Sequence, residues 1–286
     1  MTCFVILHYM AMEETVTCIE RIRALDGEKR IIVVDNASPD GTGKRLREAY
    51  ADAEDVDIIL HPKNDGFARG NNAGCAYAKE MYHPDFYVVL NNDIEIRQRD
   101  FITGIETIWE TYRFDVLGPD VYAVTEKRHQ SPKSAERTGI ENSRRLLARY
   151  RGKVNSRVIV PLWCRLKQNA LLRKIHRDIR TLRDTTDRAR IRFDVPLHGS
   201  CLIFSARFME RRKQAFFPGT FFYYETEILD YECAAGGYRT MYDPSLRVYH
   251  HQNASTKTRY RDALERTRFM NREMYRSISA FLKAYG

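Results

Sequence analysis

The amino-acid sequence predicts an α/β fold, a mostly parallel central sheet flanked by helices, and three observations carry that expectation. The first 120 residues alternate short apolar runs with longer amphipathic segments, the rhythm of βαβ units around a parallel sheet. Each apolar run ends at a polar cluster, and open parallel sheets bind ligands beyond the carboxyl ends of their strands. The 286 residues are 43% apolar and 12% aromatic, enough to close a core and too apolar for a wholly disordered chain.

Taken in order, the apolar runs predict strands at Cys3–His8, Ile31–Asp35, Asp57–Leu60 and Phe86–Leu90. Helix-permissive stretches between them predict helices over Glu13–Leu25, Gly41–Tyr50 and Ala68–Met81. From Arg128 to Arg192 the strand rhythm stops. That stretch is arginine-rich, with helical spacing at Leu162, Leu166, Ala170, Ile175, Ile179 and Leu182, and reads as a basic helical insertion. Strand character returns at Leu197–Phe204, Arg239–Tyr242 and Leu246–His250. A C-terminal helix over Tyr260–Ala284 places Leu264, Met270, Met274, Ile278 and Phe281 on one face. No internal repeat or low-complexity tract interrupts this order, and the chain reads as one domain.

No stretch approaches the roughly 18 to 20 continuous apolar residues of a membrane span. The apolar run Cys3–Leu7 has no basic flank before it and meets Glu13 and Glu14 soon after, so it does not resemble a signal peptide, and the cytoplasm is the expected compartment. The six cysteines are scattered, without metal-ligand spacing, and are expected to be reduced, buried thiols. The net charge of +9 is unevenly placed: sixteen Lys or Arg stand against three Asp between Arg144 and Arg192, so the remainder is mildly acidic. A concentrated basic segment is either a solvated helical surface or a match for a polyanionic neighbour such as an anionic membrane surface.

Three polar clusters could carry chemistry. Val34-Asp35-Asn36-Ala37-Ser38-Pro39-Asp40-Gly41 follows a β-branched strand, where Asp35 could accept hydrogen bonds from a base edge or a ribose, while Asp40 fits a turn or helix cap. In Asn64-Asp65-Gly66-Phe67-Ala68-Arg69-Gly70-Asn71-Asn72-Ala73-Gly74, small residues at a helix mouth let backbone amides approach a phosphate, and Arg69 adds positive charge. Leu90-Asn91-Asn92-Asp93 ends an apolar strand in a carboxylate. Hard divalent cations take one or two carboxylates and complete their shell with phosphates and water, although a lone strand-end Asp is more often a turn residue.

These three strings, in this order and spacing, resemble glycosyltransferase family 2, whose members have the GT-A fold with a Rossmann-like sheet. The triplet ending at Asp93 matches the family's DXD-type motif with Asn at its first position, which leaves Asp93 as its only carboxylate. Pro196-Leu197-His198-Gly199-Ser200-Cys201-Leu202-Ile203 resembles the strand that passes close to the donor sugar. Phe222-Tyr223-Tyr224-Glu225-Thr226-Glu227-Ile228-Leu229-Asp230 resembles the acidic motif that supplies the base, with Glu-Thr-Glu in place of ED or EED. By itself that acidic run would read as a favourable helix start. Tyr249-His250-His251-Gln252-Asn253-Ala254-Ser255 resembles the His-containing segment that closes over the diphosphate.

The resemblance implies a nucleotide-sugar-binding half over 1–125, the basic insertion over 128–192, an acceptor and catalytic half over 193–257 and a C-terminal helix over 258–286. It places His8, Asp35, Asn36, Asn64, Gly66, Phe67, Arg69, Gly70, Asn71, Asn72, Asn92, Gly199 and Ser200 at a nucleotide-diphosphate sugar donor. Asp93, His250 and His251 would hold Mg²⁺ or Mn²⁺, and either Glu225 or Glu227 would be the base of an inverting displacement. The family's rhamnosyl- and hexosyltransferases, and its builders of capsular and surface polysaccharides, imply a glycan or polyprenyl-diphosphate-linked acceptor. They also imply a peripheral position at the inner face of the cell membrane.

Three other classes fit less well. A two-carboxylate glycosidase needs a protonated acid for its leaving oxygen, which a diphosphate does not require. A nucleotidyltransferase is expected to open with a glycine-rich basic loop, and Leu7-His8-Tyr9-Met10-Ala11-Met12 has neither glycine nor Lys or Arg. A nucleic-acid-binding protein using the arginine-rich segment leaves the acidic and glycine clusters without a role, so no nucleic acid is expected.

Overall fold

A computed structural model describes residues 1–156, 158, 160–162, 164, 186–252 and 262–286. The first half follows the expected rhythm: β1 (Thr2–His8), α1 (Met12–Arg23), β2 (Lys29–Asp35), α2 (Thr42–Ala49), β3 (Val56–Leu60), α3 (Gly66–Tyr82) and β4 (Phe86–Asn91). These four strands are parallel, with Phe4 opposite both Ile31 and Val88. β1, β2 and β4 are covered on both faces, which is why they read as continuous apolar runs. Along β1 the side chains alternate: Phe4 and Ile6 enter one core with Ile19, Ile22 and Leu46, while Cys3 and Val5 enter the other with Ala68 and Cys75. All six cysteines are free, five of them buried and Cys164 partly so.

The chain continues through β5 (Ile94–Ile96), α4 (Phe101–Tyr112), β6 (Val116–Ala123), β7 (Arg128–His129), α5 (Ile140–Asn155), β8 (Arg192–Phe193), β9 (Cys201–Ser205), α6 (Ala206–Arg211), α7 (Glu225–Ala235), β10 (Thr240–His250) and α8 (Ala263–Tyr285). The sheet runs β3-β2-β1-β4-β9-β6-β10-β5, with β7 on β6 and β8 on β10. β9 is antiparallel to both β4 and β6, whereas β6 and β10 are parallel to each other. The carboxyl ends of β1, β2, β4, β6 and β10 therefore share one edge with the amino end of β9. That edge gathers His8, Asp35, Asn91, Ser200 and His250.

Three features depart from the sequence expectation. The strand expected from Leu197 begins at Cys201, because Leu197 packs its side chain over β6, where a Cβ on Gly118 would lie 2.7 Å from Leu197 Cδ2. The two strands expected at Arg239–Tyr242 and Leu246–His250 are one strand, β10, whose register shifts between Asp243 and Arg247. In β6, Pro119 lies opposite Asp243 at the edge of that shift. Helix α5 precedes the helical pattern expected in the basic segment; most of that pattern, from Leu166 onward, lies outside the described residues.

The C-terminal helix starts where Asp262 caps it, its carboxylate accepting from Leu264 N at 3.1 Å and Glu265 N at 3.2 Å. α8 packs on α5 and α7 in a third apolar cluster that joins Ile278 and Phe281 to Tyr224, Ile228, Leu146 and Leu147. This holds the amino end of α7 against the body of the molecule. Among the described residues no helix is long and apolar enough to cross a membrane.

Candidate active site at the carboxyl edge of the sheet

The turn after β4 places Asp93 beside the end of β10. Asp93 is buried, and its Oδ1 accepts no hydrogen bond among the described residues. His250 Nε2 lies 3.4 Å from that oxygen, and His251 N donates to the Asp93 carbonyl at 3.0 Å. On its other side, His250 Nδ1 lies 2.8 Å from Gln130 Oε1. An amide oxygen only accepts, so Nδ1 carries the proton and Nε2 is directed at the carboxylate.

Two ligand-type atoms turned toward each other with one of them unpartnered suit a divalent cation, and fixing a histidine through its distal nitrogen is a common support for such a ligand. Asp93 and His250 fit that function. His251, expected as a third ligand, instead places its Nε2 3.0 Å from Glu95 Oε2. No group of three or more His, Cys, Asp or Glu among the described residues is arranged to hold a metal.

The donor-side strings are knitted together more than they are open. Asn36 donates to Asn64 Oδ1 and Gly66 O, both at 3.1 Å, and accepts from Asp65 N at 3.1 Å. Asp35 accepts from Ser38 Oγ at 2.5 Å, which shapes the turn into α2. His8, expected at the donor, is fully buried with Nδ1 2.7 Å from Thr15 Oγ1 and Nε2 2.9 Å from Thr42 Oγ1. Burial lowers its pKa, and both nitrogens are engaged, so it ties α1 and α2 to the end of β1. Asn92 likewise turns inward to Thr15 Oγ1 at 3.0 Å.

The helix mouth of α3 docks on the chain that leads to α7. Gly66 has φ +82°, and a Cβ there would lie 2.1 Å from Phe221 O; Phe67 N donates to the same oxygen at 2.8 Å. Asn72 bonds both backbone groups of Phe216, at 2.8 and 2.9 Å, and Arg69 Nε donates to Pro218 O at 2.9 Å. Phe67 packs edge-on against Phe216. Gly70 faces the sheet, where a Cβ would lie 2.4 Å from Leu7 Cδ1, and Asn71 Nδ2 donates to Phe67 O at 3.0 Å. The glycines of this string thus serve close packing within the protein.

At the start of α7 two carboxylates behave differently. Glu225 is buried, its Oε1 has no partner among the described residues, and burial pushes its pKa up to about 7. Glu227 is also pushed up by burial, but Lys133 Nζ at 2.6 Å of Oε1 outweighs this and holds the carboxyl below its usual range. Thr226 Oγ1 donates to the other oxygen of Glu227 at 3.1 Å. One turn on, burial raises Asp230 to about 6 against the pull of Arg137, whose Nε lies 3.1 Å away.

This acidic start adjoins the metal-type pair through the loop before β9. A Cβ on Gly199 would lie 2.7 Å from Thr226 Cγ2, and the His198 ring lies 5.9 Å from that of His250. His198 Nδ1 is 2.9 Å from Ser200 Oγ, and burial beside Lys133 keeps the ring well below its usual pKa. Gln130, Lys133 and His198 contact the candidate site residues and were not assigned from the sequence. Gln130 and Lys133 lie in the stretch that reads as a basic insertion, where one amide and one lysine carry no distinguishing pattern.

The glycosyl transferase family 2 sequence profile matches residues 3–180, more than half of the chain. The chain belongs to glycosyl transferase family 2. The profile covers Asp35, the α3 mouth and Asp93, and ends before α7 and β10. No curated protein sequence matches the chain.

Solved structures of this architecture include S. aureus TarS 1–349 in complex with UDP, with TM-score 0.54 and 13% identity over 94% of this chain and 64% of that one. Another structure of TarS 1–349 aligns over 87% of this chain and 60% of its own length, with the same TM-score and identity. The mannosyltransferase PcManGT from Pyrobaculum calidifontis, in complex with GDP-Man and Mn²⁺, gives TM-score 0.52 at 13% identity over 99% of this chain and 74% of that one. The chain therefore spans about three fifths of the TarS fragment. At these identities the likeness shows the fold, which is the GT-A glycosyltransferase fold.

Proposed function

We propose that this family 2 protein is a metal-assisted inverting glycosyltransferase that moves a sugar from a nucleotide-diphosphate donor to a glycan or lipid-linked oligosaccharide. The observation that carries this reading is the buried Asp93–His250 pair, with one carboxylate oxygen unpartnered, at the sheet edge where α/β folds bind nucleotides. Asp93 and His250 would hold Mg²⁺ or Mn²⁺, whose chemistry there is Lewis-acid neutralisation of the leaving diphosphate. Solved proteins of this fold carry UDP, UDP-GlcNAc, or GDP-Man with Mn²⁺, which supports a nucleotide-sugar donor here.

Glu225 is the better base of the two carboxylates. An acceptor hydroxyl attacks the anomeric carbon, the bond to the diphosphate oxygen breaks, and Glu225 takes the hydroxyl proton. A carboxylate with pKa about 7 and a free oxygen matches that task near neutral pH, whereas Glu227 has both oxygens engaged. Lys133 fixes Glu227 and so shapes the approach to Glu225. Asp35, Asn36 and Asn64 would line the donor side, and Gly199 and Ser200 would adjoin the transferred sugar. The basic excess between Arg144 and Arg192 supports a peripheral contact with an anionic membrane surface, as expected of a surface polysaccharide enzyme.

The test is nucleotide release from UDP-, dTDP- and GDP-sugars with Mg²⁺ or Mn²⁺. Metal-dependent release from one donor, lost in Asp93→Ala, is the expected result. Failure of every nucleotide sugar to bind the folded wild-type chain, with either metal, would overturn the proposal.

A further inference from the structure

α8 presents Phe269, Arg272, Glu273, Arg276 and Ser277 at helical spacing to the chain around Gly219 and Phe221, and these residues line a cavity of about 400 Å³. That volume lies in the range of small-ligand sites. The cavity touches none of the residues assigned above to the metal or to proton transfer, yet it shares a wall with both halves of the site. Ser277 Oγ donates to Phe222 O at 3.1 Å, three residues before Glu225. Phe67 N, at the mouth of α3, donates to Phe221 O at 2.8 Å.

We propose that this cavity is an acceptor subsite that binds a saccharide ring. The proposal rests on the glycosyltransferase reading for its place in the reaction, and its chemistry is argued from the lining. Glu273 is only 2% exposed, and its Oε1 accepts from Arg272 Nε at 3.2 Å and Arg276 Nη1 at 3.0 Å. Among the described residues the two guanidiniums make no other hydrogen bond or ion pair; their side chains are 52% and 65% exposed, and each has five N–H donors of which one is spent on Glu273. Phe221 and Phe269 supply apolar walls, and Arg272 lies over the Phe269 ring at 5.9 Å.

Planar hydrogen-bonding groups beside aromatic faces match a pyranose, which offers hydroxyls at its rim and C–H groups on its faces. A free phosphate fits less well. Glu273 neutralises one of the two arginines and sets a carboxylate in the wall, where a second anion would be repelled.

The test uses the full chain and titrates methyl glycosides of glucose, galactose, mannose, rhamnose and N-acetylglucosamine. Inorganic phosphate, UDP and GDP are titrated in parallel arms, against wild type, Arg276→Met and Glu273→Gln. At least one glycoside is expected to bind wild type and to weaken about tenfold in Arg276→Met, the effect of removing one charged hydrogen bond. UDP or GDP affinity should stay unchanged in the variants. Arg276 is largely exposed, so its replacement keeps the test informative if Glu273→Gln fails to fold.

Glycoside binding that is indifferent to Arg276 would place the sugar elsewhere and overturn the proposal. So would the absence of any glycoside binding to the folded protein, or phosphate binding that depends on Arg276. If glycosides bind in an Arg276-dependent way while no nucleotide sugar binds or turns over, the cavity stands as a saccharide site and the glycosyltransferase reading fails.

Discussion

Lys133 Nζ lies 2.6 Å from Glu227 Oε1, while Glu225, two residues earlier on the same helix, keeps one carboxylate oxygen without a partner among the described residues. Two carboxylates on one turn are thereby driven apart in acidity, one held ionised and one held near neutrality. Separation of this kind is how neighbouring acids acquire different tasks.

The pH profile follows from Glu225. With its pKa about 7, turnover is expected to rise through that pH and level above it; had Glu227 been the base, the rate would be flat across the same range. Glu225→Gln should abolish turnover at every pH while leaving donor binding in place.

Stability should change in the opposite sense. The folded pKa of Glu225, about 7, exceeds its ordinary value of 4.5, so between those values the folded state binds the proton more tightly. Its contribution to stability therefore falls as pH rises through that window and stays low above it. Glu225→Gln should be the more stable protein at pH 8, by about 2 kcal/mol and no more than the shift allows, and should gain little at pH 4. Urea unfolding at the two pH values measures this.

Lys133→Met should destabilise the protein at neutral pH by about 1 kcal/mol, because Glu227 loses its cation while remaining largely shielded from water. Glu227 has a depressed pKa, so the stabilisation is present above its unfolded value and is lost as pH falls through the folded one. The difference between Lys133→Met and wild type should accordingly shrink on acidification.

The parallel half of the fold was legible because β1, β2 and β4 are covered on both faces and leave unbroken apolar runs. The second half was less so. Arg239–Tyr242 and Leu246–His250 read as separate strands, yet a register shift between Asp243 and Arg247 joins them in β10. In the candidate site, the sequence marks Asp93 as a strand-end carboxylate and His250 as a histidine past a strand, but not that their side chains meet at 3.4 Å. His8, Asn72 and Gly70 were not separable from ligand residues in sequence, since a buried polar side chain and a ligand-facing one have the same letter. Only tertiary partners, Thr15 and Thr42 for His8 and Phe216 for Asn72, distinguish them.

That distinction is testable at the α3 mouth. Asn72→Ala leaves two buried backbone groups of Phe216 without partners and should cost about 2 kcal/mol. Gly66→Ala meets both a left-handed backbone and Phe221 O, and should cost at least about 2 kcal/mol. Thermal or urea unfolding reads both. If Asn72→Ala instead leaves stability unchanged and raises the donor KM, Asn72 contacts the donor.

Gln130 gives the sharpest check on the metal-type pair, because it touches neither donor nor carboxylate. Its Oε1 fixes the proton of His250 on Nδ1 and so leaves Nε2 directed at Asp93 Oδ1, 3.4 Å away. Removing such a support commonly weakens metal affinity about 10- to 100-fold. Gln130→Leu should therefore raise the Mn²⁺ concentration needed for half-maximal donor release by that factor, and saturating metal should recover most of the rate. Asp93→Asn removes the carboxylate itself and should not be rescued. If Gln130→Leu leaves the Mn²⁺ requirement unchanged, His250 is a packing residue beside Asp93, and the cation must be held by other groups.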